Sequence, residues 1–455
     1  MKKMCKVKLF GKIIYALVIV FLAGVASAQP EETEFIVISK APTMARIAIL
    51  EFRISNPALA EKSLELAQLL KTDLERSGLF EIIPPEAYLQ PKPFIEEEID
   101  WQAWNMIDCQ AVIVGELEET PEEKFQLILK LYDVLAQKLA VGKKYIGGEQ
   151  SLRRMIHRFA DETVLWLTGK RGGFESRIAF VSDRTGRKEI YVADSDGKNI
   201  RQLTKTSKLN LSPCWLDGSR LYYTGYDRGN PDLYLVDIFS GKKMLISSRK
   251  GLNITPAVGP RGKKLALAME SPGNNLDIYI TNPDGSHPLR LTYYPSAELS
   301  PTWSPDGHYL AFVSDRTGTP QIYMMDLYRG SEASGNRPVR LTFEGDYNTS
   351  PAWSPDGRYL AYCRRIGNQF DLFLIDFQAG GTNAEVQLTQ THYNEEDPSW
   401  SPDGRMLIYS ANPHGNYDIF MISIYSKKPI QITDWDSNET QPSWSENLFK
   451  KGGWK

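Results

Sequence analysis

The sequence predicts a two-domain protein, an N-terminal α/β domain with a small mixed sheet and two helices, followed by a C-terminal all-β six-bladed β-propeller. Three observations carry this. A phrase of the form Pro-x-Trp-Ser-Pro-Asp-Gly, clearest at Pro301, Pro351 and Pro398, recurs at intervals of about 43 to 50 residues, a period that marks a repeat architecture. Each copy is followed by short apolar runs of strand length. The stretch before the repeats lacks this grammar and alternates strand and helix patterns instead.

Residues 1–28 read as a secretory signal. Lys2, Lys3, Lys6, Lys8 and Lys12 flank an apolar run over 13–25, and Ala26-Ser27-Ala28 has the small-x-small form of a cleavage site. The mature chain is expected to begin near Gln29, and the run is short for a membrane span. Residues 29–45 are expected to be a flexible N-terminal segment. The α/β domain is expected over 46–168: a strand over 46–52, a helix opened by Pro57 that turns Leu59, Leu66, Leu69, Leu70 and Leu74 inward, and a stop at Gly78. Strands over 111–116, 125–134 and 138–146 follow, then a second helix over 149–167. A Gly-rich link over 169–174 leads to the propeller, expected over 175–455.

Within a repeat, Ser-Pro-Asp-Gly places Pro where a type I turn has φ preset, Asp where it bonds its own backbone, and Gly where a left-handed residue is unstrained. Strands follow at 309–313, 321–326 and, closing the unit, Arg340-Leu341-Thr342. Four antiparallel strands of this length make one blade. The first copy begins at Arg177 without the opening phrase, and the last ends at Trp444-Ser445 without the strands. The two fragments complete one another, so the ring closes with no open edge.

Loss of the signal removes five lysines and takes the formal net charge from −3 to −8. The whole excess falls on residues 29–170, with 24 acidic and 16 basic side chains, against 32 of each beyond. A nucleic-acid partner is disfavoured, because a phosphate-binding surface shows as a basic excess. Cys109, Cys214 and Cys363 remain, scattered, and form neither a disulfide framework nor a Cys-based metal site. His157 and Asp161, one helical turn apart, suggest a surface pair or an inter-domain contact. His287, His308, His392 and His414 lack metal-ligand spacing. Trp303, Trp353, Trp400 and Trp444 read as wedges between blades, and the Ser-Asp-Arg-Thr-Gly copies at Ser182 and Ser314 as loop-supporting polar turns with structural Asp-Arg pairs.

Several stretches resemble the TolB family of Tol-Pal envelope proteins: Arg76-Ser77-Gly78-Leu79-Phe80, Leu131-Tyr132-Asp133-Val134, Leu152-Arg153-Arg154-Met155-Ile156-His157, and above all Leu167-Thr168-Gly169-Lys170-Arg171-Gly172-Gly173-Phe174-Glu175-Ser176. The resemblance covers essentially the whole mature chain. It implies a non-enzymatic periplasmic adaptor that binds a peptidoglycan-associated lipoprotein, Pal, on one propeller face. It also implies binding of the TolA C-terminal domain through the N-terminal segment, in support of outer-membrane integrity and cell division. It implies no cofactor, a monomer, and association with the outer membrane through partners.

Two candidate binding sites follow. Glu34, Phe35, Ile36, Val37, Ile38 and Ser39 are β-prone and bounded by Pro30 and Pro42; the resemblance implies that they add as a strand to a partner sheet, and a permanent edge strand is the alternative. Three residues before each blade-opening Pro lie Asn210, Asn253, Glu298, Asn348, Glu395 and Glu439, and one residue before it Ser212, Thr255, Ser300, Ser350, Asp397 and Gln441. These are expected as concentric polar rings at one mouth of the channel, which the resemblance implies is the Pal face. Lys208, Leu252, Tyr294, Tyr347, Tyr393 and Trp435 stand in neighbouring loops as contacts. Capping of turns is the alternative role for the ring. Its three glutamates keep open a hard cation such as Ca²⁺, which takes six to eight oxygens. They also keep open a propeller lyase or glycosidase with its site at the mouth. A serine peptidase is excluded, since the Gly-x-Ser-x-Gly elbow and its hydrolase domain are absent.

Overall fold

The computed structural model describes residues 44–89, 99–206, 208–379, 384–446 and 448. The signal and the candidate strand at Glu34 to Ser39 lie outside them. Among the described residues no helix is long and apolar enough to cross a membrane.

The N-terminal sheet contains β1 (Ala45–Ile49), β2 (Arg53–Ile54), β3 (Phe80–Ile82), β4 (Ala111–Glu119), β5 (Phe125–Asp133) and β6 (Lys138–Gly147). Its order is β3-β1-β4-β5-β6, with β2 also on β4. β1 runs parallel to both neighbours, while β4, β5 and β6 are antiparallel, so the sheet is mixed. α1 (Ala60–Arg76) is entered through a 3₁₀ turn at Pro57, where the Asn56 side chain accepts a hydrogen bond from the Ala58 amide at 3.0 Å. Leu59, Leu66, Leu69, Leu70 and Leu74 are all buried, as their helical spacing predicts. A short helix, α2 (Trp101–Met106), was not expected: at six residues it is too brief to show a period, and Asp100 caps it by accepting from the Ala103 amide. α3 (Leu152–Thr168) ends at Gly169 in the left-handed conformation.

Six four-stranded antiparallel sheets follow. Blade 1 combines Arg177–Ser182, Glu189–Asp194 and Arg201–Gln202 with the last strand, Glu439–Trp444, as its innermost member. Blades 2 to 6 open with the innermost strands Asn210–Trp215, Asn253–Val258, Glu298–Trp303, Asn348–Trp353 and Glu395–Trp400. The closure anticipated from the complementary fragments is the one observed.

The repeat tryptophans join blades. Trp215, Trp303 and Trp400 each donate their indole N–H to a main-chain carbonyl of the preceding blade, at Ser443, Ala257 and Ala352, over 2.9 to 3.0 Å. Trp444 has no turn of its own repeat to follow and donates to Ser176 of the inter-domain link at 2.7 Å. Trp353 differs again, donating to Gly357 O within its own turn at 3.3 Å.

The two domains share one apolar cluster, in which Leu74, Ile156 and Phe159 join Phe174, Ile178 and Trp444. A charged clasp lies beside it. His157 is buried, with Nδ1 2.6 Å from Asp73 of α1 and Nε2 3.6 Å from Asp196 of blade 1. Arg153 also pairs with Asp196. Burial alone would lower the His157 pKa, but Asp73, helped by Asp196, outweighs it and pushes the value up to about 9. His157 is therefore an inter-domain contact and not a surface pair. Asp161, its expected neighbour, instead accepts from the Phe174 and Glu175 amides and anchors the link. Gly78 completes the joint: it has φ +69°, and a Cβ there would stand 2.7 Å from Ser423 Oγ of blade 6.

Candidate functional site at the channel mouth

Each innermost strand starts at the mouth end of its blade, and the structure brings both expected rings together there. Their character differs from expectation. Asn210, Asn253, Glu298, Asn348, Glu395 and Glu439 are all fully buried, which favours the turn-capping role over direct contact with a partner. The reason is that the side chains turn inward, to their own loop or to a strand of the preceding blade. Asn210 donates to Glu189 at 2.8 Å, Asn253 to the Arg249 carbonyl at 2.7 Å, and Asn348 to Gln321 at 2.9 Å. Glu298 accepts from the Ser296 and Ser314 hydroxyls and from Arg316, and Glu439 from Ser182 and Ser437. They brace the loops that form the mouth.

The glutamates are strained electrostatically. Burial pushes Glu298 and Glu395 up to about 7, and it raises Glu439 in the same direction. Glu298 has Arg316 at 3.2 Å as partial relief. Neither carboxylate oxygen of Glu395 has a hydrogen-bond partner among the described residues, and the like-charged Asp371 opposes it further. Carboxylates so enclosed, on three different blades, do not form a facing pair open to a substrate, which removes the main support for acid-base catalysis at this mouth. Among the described residues no group of three or more metal-ligating side chains converges.

The second ring lines the channel and is half-buried. Ser212, Thr255, Ser300, Ser350, Asp397 and Gln441 all have positive φ, between 48° and 56°. Each sits at a bulge where the register of the innermost strand slips against its neighbour. The bulge points these residues at adjacent blades. The Ser212 amide donates to Gln441 Oε1 at 2.8 Å, the Ser300 amide to Thr255 Oγ1 at 3.3 Å, and the Ser350 hydroxyl to Asp397 at 2.8 Å. Burial raises the Asp397 pKa, eased by the Ser350 hydroxyl and by Lys188.

The accessible chemistry is in the loops. Tyr294 is 42% exposed, with the Arg316 guanidinium 4.9 Å from its ring centre. Tyr347 lies under Arg365 at 5.3 Å and Trp435 under Arg184 at 4.0 Å. Tyr393 is half-buried, and Lys208 is exposed. Sequence reasoning missed Tyr293 and Phe343, both exposed and stacked with Arg290 and Arg340. The signal was present as an aromatic just after the Leu-Thr that closes a blade. The expected Asp-Arg pairs divide their roles: Asp183 holds the Asn438 amide at 2.8 Å, while Arg184 stacks on Trp435. Asp183, Arg184, Trp435 and Ser437 border a cavity of about 640 Å³.

Comparison with known proteins agrees with both halves. A family model described as the TolB beta propeller domain matches residues 165–448, and one described as the TolB amino-terminal domain matches residues 36–140. A Protein TolB homolog from Chlorobium luteolum is 32% identical over 321 residues, 69% of this chain and 73% of the relative. A Tol-Pal system protein TolB from Desulfosudis oleivorans is 37% identical over 230 residues, 50% of this chain and 52% of the relative. The crystal structure of TolB from Acinetobacter baumannii superposes with a TM-score of 0.76 at 28% identity, covering 90% of this chain and 98% of that one.

Proposed function

The chain belongs to the TolB family, and from that premise we propose that it is a non-enzymatic periplasmic adaptor of the Tol-Pal envelope system. In this reading it binds a Pal-like peptidoglycan-associated lipoprotein at the channel mouth and the TolA C-terminal domain through residues 34–39. The observation that carries the Pal half is the set of arginine-backed aromatics on the mouth loops. Tyr, Trp and Arg are the side chains that most often anchor interfaces, and the buried ring beneath holds their loops in place. The TolA half rests on the family and on the β-prone, proline-bounded sequence of the segment. Location in the periplasm rests on the signal-like residues 1–28 and on the family. Maintenance of the outer membrane at division is the role that follows from bridging two such partners.

Calorimetric titration of residues 29–455 with the soluble domain of the Pal-like lipoprotein from the same genome tests this. Binding at micromolar Kd or tighter is expected, weakened at least tenfold when Tyr294, Tyr347 and Trp435 are changed together to Ala. Folded wild-type protein that does not bind sinks the Pal assignment. Binding that ignores the triple change moves the partner to another surface.

A further inference from the structure

We propose that the propeller carries a second docking site, for an extended basic peptide segment, in an aromatic groove between blades 4 and 5 at the end opposite the mouth. The groove has a volume of about 470 Å³ and is bordered by Tyr309, Trp353, Phe377, Asp306 and Asp356. It opens at a seam that lacks the indole staple, since Trp353 bonds its own turn while Trp215, Trp303 and Trp400 reach back to the preceding blade.

Ring centres run in an unbroken row across the seam. Tyr328 lies 4.3 Å from His308, which lies 4.2 Å from Tyr309; Trp353 follows at 6.4 Å and Phe377 at a further 5.2 Å. Tyr328 at one end is 80% exposed. At roughly 3.3 to 3.6 Å per extended residue, such a row matches a segment of about four to six residues and exceeds a single side chain.

Charge selects the occupant. In blade 6 the residue after Asp-Gly, Arg405, neutralises the aspartate of its own turn, Asp403, at 3.2 Å. At the groove the equivalent residues turn away: His308 pairs with Asp326 at 3.0 Å and Arg358 with Asp376 at 2.8 Å. Asp306 and Asp356 are exposed, and neither is in an ion pair among the described residues. Two carboxylates beside aromatic faces favour lysine or arginine, by ion pairing and by attraction of the cation to the rings.

The test uses residues 29–455 and a capped pentapeptide, Lys-Pro-Lys-Pro-Lys, titrated by tryptophan fluorescence and calorimetry at 50 and 500 mM NaCl. Saturable one-site binding with submillimolar Kd at low salt is expected. Trp353→Ala is expected to weaken it at least tenfold and the double change Asp306→Asn, Asp356→Asn at least fivefold, with most of the salt dependence lost in the latter. The second variant alters only exposed side chains, so it reports even if the first fails to fold. Peptide affinity unchanged in the aspartate variant overturns the proposal. So does a groove that binds an N-acetylglucosamine tetramer in a Trp353-dependent way and not the peptide, because its occupant is then a saccharide.

Discussion

The two ends of the propeller are built by different rules. At the turn end, one solution is repeated in blades 4, 5 and 6. Ser304, Ser354 and Ser401 each donate to the aspartate two residues on, and Gly307, Gly357 and Gly404 share φ between 73° and 77°. At the mouth end the bulge is common to all six blades but the loops differ, with Asn in three buried positions and Glu in three, and with the arginine–aromatic pairs of Tyr294, Tyr347 and Trp435 in separate loops. The difference teaches where a repeat protein keeps its freedom: uniform turns hold blades in register and seat the second domain, while the unrepeated loops are available for recognition.

The comparison breaks most visibly at the turn end, through the clasp. Asp73→Ala leaves His157 buried with Asp196 3.6 Å away, and a loss of about 3 kcal/mol of stability is expected. The His157 pKa is raised from 6.5 to about 9. Its contribution is therefore complete below pH 6.5 and fades as pH rises through 9. Thermal melts of wild type and variant should differ most at pH 6 and converge by pH 9.5; a gap independent of pH would show that the loss is packing, not charge.

A change at the mouth end should have the opposite sign. Glu395 has its pKa raised from 4.5 to about 7, so its burial favours the protonated form and stability falls as pH rises through 7. Glu395→Gln should stabilise the propeller above pH 8 by an amount on the order of 2 to 3 kcal/mol, and change it little near pH 4.5. Chemical denaturation at the two pH values checks this, and equal midpoints for the two proteins at pH 8 would refute it.

The smallest effect separates the seams. Trp303→Phe removes the staple to Ala257, a hydrogen bond worth about 1 kcal/mol. Trp353→Phe removes only the longer bond within its own turn and should cost less than half as much. Equal losses in urea titrations would mean that the Trp353 seam is stapled by something other than its indole.

Legibility in the sequence followed the same division. The blade count, the ring closure and the leucine face of α1 were readable because each rests on a local pattern that recurs, either six times or every helical turn. The first ring was located by counting back from proline, but its burial was not readable, since Asn and Glu are usually exposed and their partners, such as Glu189 or Gln321, stand in other strands. His157 was matched to Asp161 because a neighbour one turn away is visible in a sequence; Asp73, 84 residues distant, is not. The left-handed bulge under Ser212, Thr255, Ser300, Ser350, Asp397 and Gln441 also escaped, because five of the six are not glycine, asparagine or aspartate, the residues that announce positive φ.

The way blade 1 is assembled sets a schedule. Its three outer strands are made early, at residues 177–202, but the strand that completes it is Glu439–Trp444. The α/β domain lies wholly upstream of that strand, whereas the ring must wait for nearly the last residues. A chain cut short before Glu439 closes no smaller ring: it leaves an open array in which the first blade lacks its innermost strand and exposes an unpaired edge.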